Sequence, residues 1–334
     1  MFNLITSNNF LVVAFSFLSS YFLLYILVPY LQSYSPDLPN DRSSHVKPVP
    51  RGGGVAFVVI SVFFSLTYLL SRDANSNYIV SPLLISLPLA IIGLADDRYD
   101  LPPLLRFIVQ LIISSLLVYF SPLIRISSEF QFPFFMLFFA CILITISLVA
   151  IINFVNFMDG LDGLVAGCMA VILANAAMRL QEDWSLWSIV GALLSFLVWN
   201  WSPAKVFMGD VGSTFLGAVF AGAIMQSPSW SQALEMLLIG TPLLGDACIC
   251  VPRRLLAGQR VFQAHRLHLF QRLHQSGWPH SSISSLYIVA TALLALVSLI
   301  SNWHWVLGLA LLELIVGIWL DQHVAVPFNL ASKR

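Results

Sequence analysis

The chain alternates long apolar runs with short polar segments. Each run is close to the roughly 20 residues that a helix needs to cross a bilayer. The runs are continuously apolar and do not alternate, which argues against transmembrane strands. We predict an all-α, polytopic integral membrane protein whose single domain fills residues 1–334, with a motif-bearing core at about 40–275. About eleven membrane helices are predicted near residues 10–30, 53–71, 79–95, 104–120, 132–152, 161–180, 184–201, 212–227, 233–251, 283–301 and 303–320.

The composition strengthens this prediction. Hydrophobic residues make up 58% of the 334 residues, and charged residues only 10%. A soluble domain carries about 25% charged residues, so this chain has too few to cover a surface facing water. The composition therefore excludes a soluble globular enzyme, a disordered chain and a nucleic-acid binder with a basic face. The lipid bilayer is the predicted environment, and no nucleic-acid partner is expected.

The charged residues predict the orientation of the chain in the membrane. When the loops are assigned alternately to the two sides, thirteen Lys and Arg residues fall on one side, and only Arg72, Arg125 and Arg179 fall on the other. The positive-inside rule makes the richer side cytoplasmic and places the N-terminus outside. Residues 1–41 contain no Lys or Arg, so we expect the first span to be a permanent helix and not a cleaved signal peptide.

Most aspartates lie on the same predicted cytoplasmic side, Asp73 and Asp183 being the exceptions. Carboxylates contribute little to membrane topology, so their concentration on one side needs another cause. A site for a charged, metal-bound substrate would supply one. Arginine also outnumbers lysine thirteen to three, which favours recognition of planar oxyanions such as phosphate.

The first candidate motif is Asp96-Asp97-Arg98-Tyr99-Asp100, at the end of the third predicted span. If the helix continues towards Pro102, Asp96 and Asp100 share one face, with Asp97 adjacent. Like charges so close to a low-dielectric boundary are costly unless a cation or a shared proton relieves them. The motif indicates a general base or a pair of carboxylates near a metal; the alternative is an ordinary solvated loop.

The second motif is Asn153-x-x-Asn156-x-x-Asp159-Gly-x-Asp162-Gly. Its two amides and two carboxylates recur every three residues, so a continuous helix would place all four side chains along one stripe. Oxygen donors of this kind suit Mg²⁺, with Mn²⁺ as the alternative. A polar cap between two spans does not explain why the four residues keep this register.

The third motif runs from Asn200 through Phe207 and Asp210 to Ser213. Asp210 precedes a predicted helix that begins at Gly212-Ser213-Thr214, whose unpaired N–H groups would attract phosphate. Phe207 offers an aromatic face for a nucleobase, and Asn200 can hydrogen-bond the edge of that base. Interfacial packing for Phe207 and simple helix capping for Asp210 are the structural alternatives.

Two basic loops complete the candidate chemistry. His265-Arg266-Leu267-His268 lies in a loop with Arg253 and Arg254 and is a plausible pyrophosphate clamp. The other loop contains Lys47 and Arg51 before a run of three glycines, a pattern compatible with phosphate contact. His274 and His280 are interpreted as surface residues. The Cys248-Ile-Cys250 pair has neither a zinc nor a redox spacing and is interpreted as small apolar filler.

Taken in order, these motifs closely resemble the polyprenyl-phosphate N-acetylhexosamine-1-phosphate transferases, the glycosyltransferase 4 superfamily that contains MraY, WecA and WbpL. The resemblance covers residues 40–275 and rests on four runs, Asp96-Asp97-x-x-Asp100, the run at 153–163, V-F-M-G-D-x-G-S at 206–213, and R-R-x7-F-x-A-H-R-x-H at 253–268. It implies transfer of a sugar-1-phosphate from a UDP-N-acetylhexosamine to undecaprenyl phosphate, with release of UMP and dependence on Mg²⁺.

The resemblance also implies roles for individual residues. Asn156 and Asp210 would hold the metal, and Asp96 or Asp97 would accept the proton of the lipid phosphate as the catalytic base. The residues implied to bind substrate are Lys47, Arg51, Asn153, Asp159, Asp162, Asn200, Phe207, Arg266 and His268. Among these, Phe207 would stack on uracil and Asn200 would bond it, while Arg266 and His268 would engage the pyrophosphate or the sugar. A homodimer is left open.

The loop at 264–272 departs from the WecA-like pattern, which continues with adjacent histidines. Its H-R-x-H-x-aromatic-Q-R form resembles the WbpL branch, which initiates O-antigen synthesis. GlcNAc and its 6-deoxy relatives QuiNAc and FucNAc therefore stay open as the sugar. Two other classes are weighed. A transporter or lipid flippase would need ionisable residues near the bilayer midplane, where Glu313 is the main candidate. A CDP-alcohol transferase would need an Ala-Arg pair that the run at 159–165 lacks.

Overall fold

The protein is a bundle of helices with one very short sheet at its edge. The structure is a computed structural model, and it describes residues 7–37, 48–71, 81–129, 133–180, 184–259 and 265–332. The helices of these residues are α1 Ser7–Tyr34, α2 Gly54–Ser71, α3 Pro82–Tyr99, α4 Pro103–Tyr119, α5 Pro122–Glu129, α6 Phe134–Phe157, α7 Leu164–Leu180, α8 Ser185–Asn200, α9 Asp210–Met225, α10 Trp230–Ile239, α11 Thr241–Leu256, α12 Leu269–Gln275, α13 His280–Ile300, α14 Trp303–His323 and α15 Phe328–Ala331. The strands β1 Pro36–Asp37 and β2 Val49–Pro50 are antiparallel, with Pro36 opposite Pro50.

The all-α, multi-pass membrane architecture is confirmed, but the count of eleven spans is not. Among the described residues, five helices are long and apolar enough to cross a membrane, namely α1, α2, α6, α13 and α14. A sixth span results if α10 and α11 are joined. The helices α4, α7, α8 and α9 are apolar but shorter, with 17, 17, 16 and 16 residues. At 1.5 Å per residue such helices are about 25 Å long, somewhat less than the hydrocarbon core.

The short helices lie inside the protein, which explains their length and composition. Every residue of α9 from Val211 to Met225 is buried, and most of α7 and α8 is buried too. Small residues of α9, among them Gly217 and Gly222, let neighbouring helices pack closely against it. In contrast, α1, α6 and α14 present exposed large apolar side chains such as Phe22, Phe135 and Ile315, as helices that face lipid should. Protein, and not lipid, surrounds the centre of the bundle.

The predicted span at 233–251 is not one straight helix, because the chain bends by 77° between α10 and α11. Pro242 lies in the first turn of α11, directly after Gly240 and Thr241. Proline has no N–H to donate, and its ring clashes with the carbonyl four residues earlier, so a helix that arrives from Ile239 must stop there. An apolar run alone does not reveal a break at which both halves stay helical.

Candidate active site at the polar end of the bundle

Carboxylates from three separate segments meet at one end of the bundle, which we call the polar end. They are Asp96 and Asp97 at the end of α3, Asp159 between α6 and α7, and Asp210 at the start of α9. The backbone N–H groups of Asp210 and Val211 donate to the two carboxylate oxygens of Asp97 at 2.9 and 3.2 Å. Residues 113 positions apart in the chain are therefore in direct contact.

Arg106 of α4 links two of these carboxylates. Its Nη1 lies 2.5 Å from Asp96 Oδ2 and 3.3 Å from Asp210 Oδ2. The other oxygen of Asp96 accepts the backbone N–H of Leu101 at 2.7 Å. Both oxygens of Asp96 are therefore engaged, and one guanidinium serves two negative charges.

The N-terminus of α9 differs from the prediction, and so does the role that it offers. The helix begins at Asp210 and not at Gly212. Its first two N–H groups are capped by Asp97, so they are not available to bind phosphate as expected. Gly209 precedes the helix with φ +75°, a conformation that a side chain would strain, and this turn presents the N–H groups to Asp97.

The run at 153–163 does not form one continuous stripe, because α6 ends at Phe157. Asn153 and Asn156 lie on the helix, whereas Asp159 and Asp162 lie in the turn that follows. The Asn153 amide exchanges two hydrogen bonds with Gln110 of α4, at 2.7 and 3.3 Å. Asn153 therefore joins two helices in this structure. The predicted shared face of Asp96 and Asp100 is also absent, since α3 ends at Tyr99 and Asp100 adopts φ +49°.

Asn156 points towards the carboxylates. Its Nδ2 donates to Ser213 Oγ of α9 at 2.9 Å, and its amide also interacts with Asp210. An amide beside a carboxylate, both held by α6–α9 packing, gives two oxygen donors on rigid elements. The two residues predicted to bind the metal therefore lie side by side.

Asp159 carries charge that its surroundings do not neutralise. Burial raises the pKa of Asp159 to about 7, and the neighbouring charges of Asp210 and Asp97 add to the increase, against a lowering by Arg51. Among the residues that the structure describes, no hydrogen bond reaches its side chain. Arg51 is itself paired with Asp37 at 3.1 Å. Excess negative charge at this point suits a divalent cation.

In the described part of the chain, no three of these carboxylates have oxygen atoms that all lie within 4.8 Å of one another. That is the usual situation for Mg²⁺, which takes one or two carboxylates and completes its shell with substrate phosphates and water. The chemistry of the donors, an amide oxygen and hard carboxylates with surplus negative charge, therefore fits Mg²⁺.

Asp162 and Asn200 connect the turn after α6 to the loop before α9. Asp162 Oδ2 accepts the backbone N–H of Ala204 at 3.2 Å. Asn200, with 4% of its surface exposed, accepts the N–H of Gly163 and donates to the carbonyl of Val206, both at 2.9 Å. Both ends of the Asn200 amide are thus used by the backbone, so here it shapes the loop that carries Phe207.

Phe207 stands next to the segment that holds Arg51. Its N–H donates to the carbonyl of Pro50 at 2.8 Å, and its carbonyl accepts the N–H of Gly53 at 2.9 Å. The side chain is half-buried, so part of the ring stays accessible. Lys47, the other predicted phosphate-binding residue of this segment, lies outside the described residues.

His280 was interpreted as a surface residue, and this is wrong. Its Nδ1 lies 3.2 Å from Asp162 Oδ2, and both side chains are about 10% exposed. The ring also packs edge-on against His274, with centroids 4.4 Å apart. Burial alone would raise the pKa of Asp162, but the hydrogen bond from His280 and that from Ala204 hold it below its ordinary value. Nothing in the sequence indicated this pair, because 118 positions separate its members.

The predicted clamp at 265–268 is only partly presented to the polar end. Arg266 is half-buried, and its carbonyl accepts a hydrogen bond from Gln275 at 2.9 Å. His268 is 1% exposed, and its Nδ1 lies 3.4 Å from Asp246 Oδ1. A side chain so enclosed cannot contact a substrate without movement of the loop. The adjacent α12 does reach the site, since a Cβ at Gly160 would lie 3.2 Å from the Phe270 ring.

Comparison with known proteins agrees with this geometry. Residues 79–227 match the family described as Glycosyl transferase family 4. A phospho-N-acetylmuramoyl-pentapeptide-transferase from Clostridium novyi is 30% identical over 311 residues, which cover 83% of this chain and 91% of the relative. The chain belongs to glycosyl transferase family 4.

Other members of glycosyl transferase family 4 carry related names. An undecaprenyl-phosphate alpha-N-acetylglucosaminyl 1-phosphate transferase from Thermotoga maritima is 31% identical, covering 71% of this chain and 72% of the relative. A decaprenyl-phosphate N-acetylglucosaminephosphotransferase from Mycobacterium leprae is 30% identical, covering 73% and 71%. All three relatives are named as phosphosugar transferases; the first is named for phospho-N-acetylmuramoyl-pentapeptide and the other two for N-acetylglucosamine.

Proposed function

We propose that this family member transfers N-acetylhexosamine-1-phosphate from a UDP-sugar to undecaprenyl phosphate, releasing UMP. The observation that carries the proposal is the convergence of Asp97, Asn156, Asp159 and Asp210 at one end of the bundle. The match to glycosyl transferase family 4 and the relatives' names support it. A membrane-embedded bundle with a polar end suits a reaction between a water-soluble donor and a lipid acceptor.

In this proposal, an oxygen of the lipid phosphate attacks the β-phosphorus of the UDP-sugar directly. The bond between that phosphorus and the oxygen bridging to the α-phosphate breaks, and UMP leaves. Both reactants are anions, so the barrier is largely electrostatic and is lowered by positive charge at the phosphates. Arg51 lies in the segment that contacts Phe207, and Arg106 contacts Asp96 and Asp210; both can supply such charge.

Asn156 and Asp210 are proposed to hold Mg²⁺, with Mn²⁺ as the alternative, and Asp159 lies close enough for its charge to contribute. Bound there, the cation would neutralise the negative charge that develops on the phosphate oxygens. Phe207 is proposed to stack on uracil, in a pocket whose floor Asp162 and Asn200 support from the backbone side. Arg266 is the residue of its loop proposed to meet the pyrophosphate or sugar.

The expected role of Asp96 or Asp97 as the catalytic base is revised in this proposal. Asp96 and Asp97 have both carboxylate oxygens engaged, by Arg106 and Leu101 in one case and by the α9 backbone in the other. A phosphate monoester is already mostly dianionic near neutral pH, so little deprotonation is needed. We therefore propose that Asp96 and Asp97 position Arg106 and α9, and that Asp159 accepts any proton that the acceptor still carries.

We further propose that the polar end faces the cytoplasm of a bacterial inner membrane and that the enzyme initiates O-antigen synthesis, as the WbpL-like form of its 265–272 loop suggests. The donor would then be UDP-GlcNAc or a 6-deoxy relative. Transport is not proposed, because family membership and the clustering of carboxylates at one end both favour a transferase.

The test is release of UMP by purified, detergent-solubilised protein with Mg²⁺. Undecaprenyl phosphate is supplied together with UDP-GlcNAc, UDP-QuiNAc, UDP-FucNAc or UDP-muramoyl-pentapeptide, and lipid products are separated by thin-layer chromatography. Lipid-dependent UMP release with one of the first three donors is expected. Turnover of the pentapeptide donor alone would overturn the sugar assignment, and no lipid-dependent UMP from any donor would overturn the reaction.

Replacement of Asp97 by Asn should reduce stability and activity together. The new amide group would point an N–H at the N–H groups of Asp210 or Val211, leaving a donor without an acceptor at a cost of about 1–3 kcal/mol. Thermal unfolding in detergent and UMP release are measured on the same preparation, with the exposed Asp100→Asn as the matched control. Full loss of activity with an unchanged unfolding midpoint would instead identify Asp97 as the base.

Replacement of His280 by Gln should weaken binding of the UDP-sugar more than it slows turnover. The substitution removes a buried hydrogen-bond partner of Asp162, which links the turn after α6 to the loop that carries Phe207. Hydrogen bonds to charged groups are worth about 1.5–3 kcal/mol, so KM for the donor should rise about tenfold. His323→Gln, at the exposed end of α14, is the control, and equal KM values for the two variants would contradict the proposed link.

A further inference from the structure

A cluster of soft donor atoms lies beside the proposed active site. The thiol of Cys250 and ring nitrogens of His265 and His268 all lie within 4.8 Å of one another. In the described part of the chain, this is the one group of three or more His, Cys, Asp or Glu donors that meets so closely. Cys250 belongs to α11, and the two histidines belong to the segment before α12. No role in phosphate transfer needs such a combination of sulfur and nitrogen.

His268 is buried in a way that calls for a ligand. It is 1% exposed, and neither ring nitrogen makes a hydrogen bond of good geometry. Its ring is stacked between the rings of His265 and Phe270, at centroid distances of 5.0 and 5.6 Å. A buried ring nitrogen without a hydrogen bond is costly, and a metal ion would satisfy the nitrogen that the Asp246 carboxylate does not approach.

Asp246 supplies the support that a metal-bound histidine normally has. Its Oδ1 lies 3.4 Å from His268 Nδ1, which directs Nε2 of the same ring away from the carboxylate. The carboxylate is fixed by the backbone N–H groups of Leu269 and Phe270 and by the hydroxyl of Tyr287, at 2.8, 3.1 and 2.9 Å. Metal-binding histidines usually donate their second N–H to such a carboxylate.

The other two donors suit the same ion. The ring of His265 offers a nitrogen lone pair. That lone pair, on Nδ1, accepts the Leu267 N–H at 3.2 Å, a long bond that a metal bond would replace. Cys250 is 4% exposed, and its sulfur is the third donor of the cluster.

The charges around the cluster allow a divalent ion. Asp246 and a Cys250 thiolate oppose the guanidinium groups of Arg254 and Arg272, and Arg272 is itself ion-paired with Asp321.

We propose that Cys250, His265 and His268 bind Zn²⁺, with Asp246 orienting His268 and a fourth position left open. Sulfur and nitrogen donors bind Zn²⁺ well, whereas Mg²⁺ prefers oxygen donors. The zinc would therefore be separate from the ion proposed at Asn156 and Asp210. It would tie the segment before α12 to α11. Since α12 packs against Gly160, the zinc would fix the loop that carries Arg266 beside the active site.

The experiment uses the full-length protein in detergent, freed of metal by a chelator and then titrated with Co²⁺. A cobalt–thiolate bond gives a charge-transfer band in the near ultraviolet, which a site made of oxygen donors does not give. Cys250→Ser removes the thiolate, and Cys248→Ser, an exposed cysteine of the same helix, is the matched control. His265→Gln tests a half-buried ligand whose loss leaves the core intact. Bound zinc is measured separately by elemental analysis.

We expect about one zinc per chain and a cobalt band in the wild type and in Cys248→Ser. The band should be lost in Cys250→Ser, and metal affinity should fall at least about tenfold in His265→Gln. Absence of the band in the wild type, or its persistence in Cys250→Ser, would overturn the proposal. If Cys250→Ser does not elute as a monodisperse protein, His265→Gln decides: unchanged affinity in that variant also overturns it.

Discussion

Replacement of Asp210 by Asn should reduce UMP release by about 10³-fold or more, without unfolding the protein. The side chain interacts with Asn156 and with Arg106, 3.3 Å away, at the point where negative charge is concentrated. Asparagine keeps the size of the side chain but removes the charge that is proposed to hold the cation. The backbone contacts of residue 210, to Asp97 and to the Thr214 hydroxyl, do not depend on its side chain.

The measurement is UMP release at saturating Mg²⁺, donor and undecaprenyl phosphate. Asp100→Asn makes the same chemical change on an exposed residue that follows the end of α3. It should keep most of the activity. If Asp210→Asn retained more than about a tenth of wild-type activity, or if Asp100→Asn lost as much, a specific role for the Asp210 charge would be refuted.

The second large effect is expected from Gly93→Ala, at the point where α3 and α9 touch. A Cβ on residue 93 would lie 2.6 Å from the backbone nitrogen of Val211, which cannot move without displacing the start of α9. Overpacking of this kind costs about 1–3 kcal/mol. Displacement of Asp97 and Asp210 by about 1 Å should also lower activity by about 10²-fold, since the reacting groups must be precisely placed.

Gly308→Ala in α14 is the matched control, because nothing lies within 4 Å of the position of its Cβ. The control should be as stable as the wild type or slightly more so, since alanine favours helix more than glycine does. Unfolding midpoints in detergent and UMP release are compared for both variants. Equal midpoints and equal activities would show that the α3–α9 contact can relax and that it does not set the geometry of the site.

The positions of the membrane helices could largely be predicted from the sequence. Each predicted span overlaps a helix, and most of the ends differ by a few residues. These differences affect the candidate site, because α3 extends to Tyr99, α6 to Phe157 and α9 back to Asp210. Polar residues at these ends interrupt the apolar pattern but not the backbone hydrogen bonding. A span predicted from hydropathy therefore ends before the helix itself ends.

The candidate residues were easier to find than their contacts. Carboxylates and amides at a membrane boundary are costly without a function, and this cost marked Asp97, Asn156, Asp159 and Asp210 before any contact was known. The mutual positions of these residues were not predictable. Asp97 caps α9, Asn200 uses its amide for the backbone, and His280 pairs with Asp162. Each of these contacts joins segments that are distant in the chain, so no local spacing predicts it.

The sequence by itself determined the environment and the elements of this protein, a lipid-embedded all-α bundle with its acidic groups in a few polar segments, because hydropathy and helical periodicity are local properties. Only the tertiary structure decided which side chains form helix caps and ion pairs and which stay available for chemistry. It also brought Cys250 close to His265 and His268, whereas Cys248 of the same helix is exposed. The reason is physical: a hydrogen bond or a metal site depends on distances of about 2–3 Å between atoms, and packing of helices, not spacing along the chain, sets those distances.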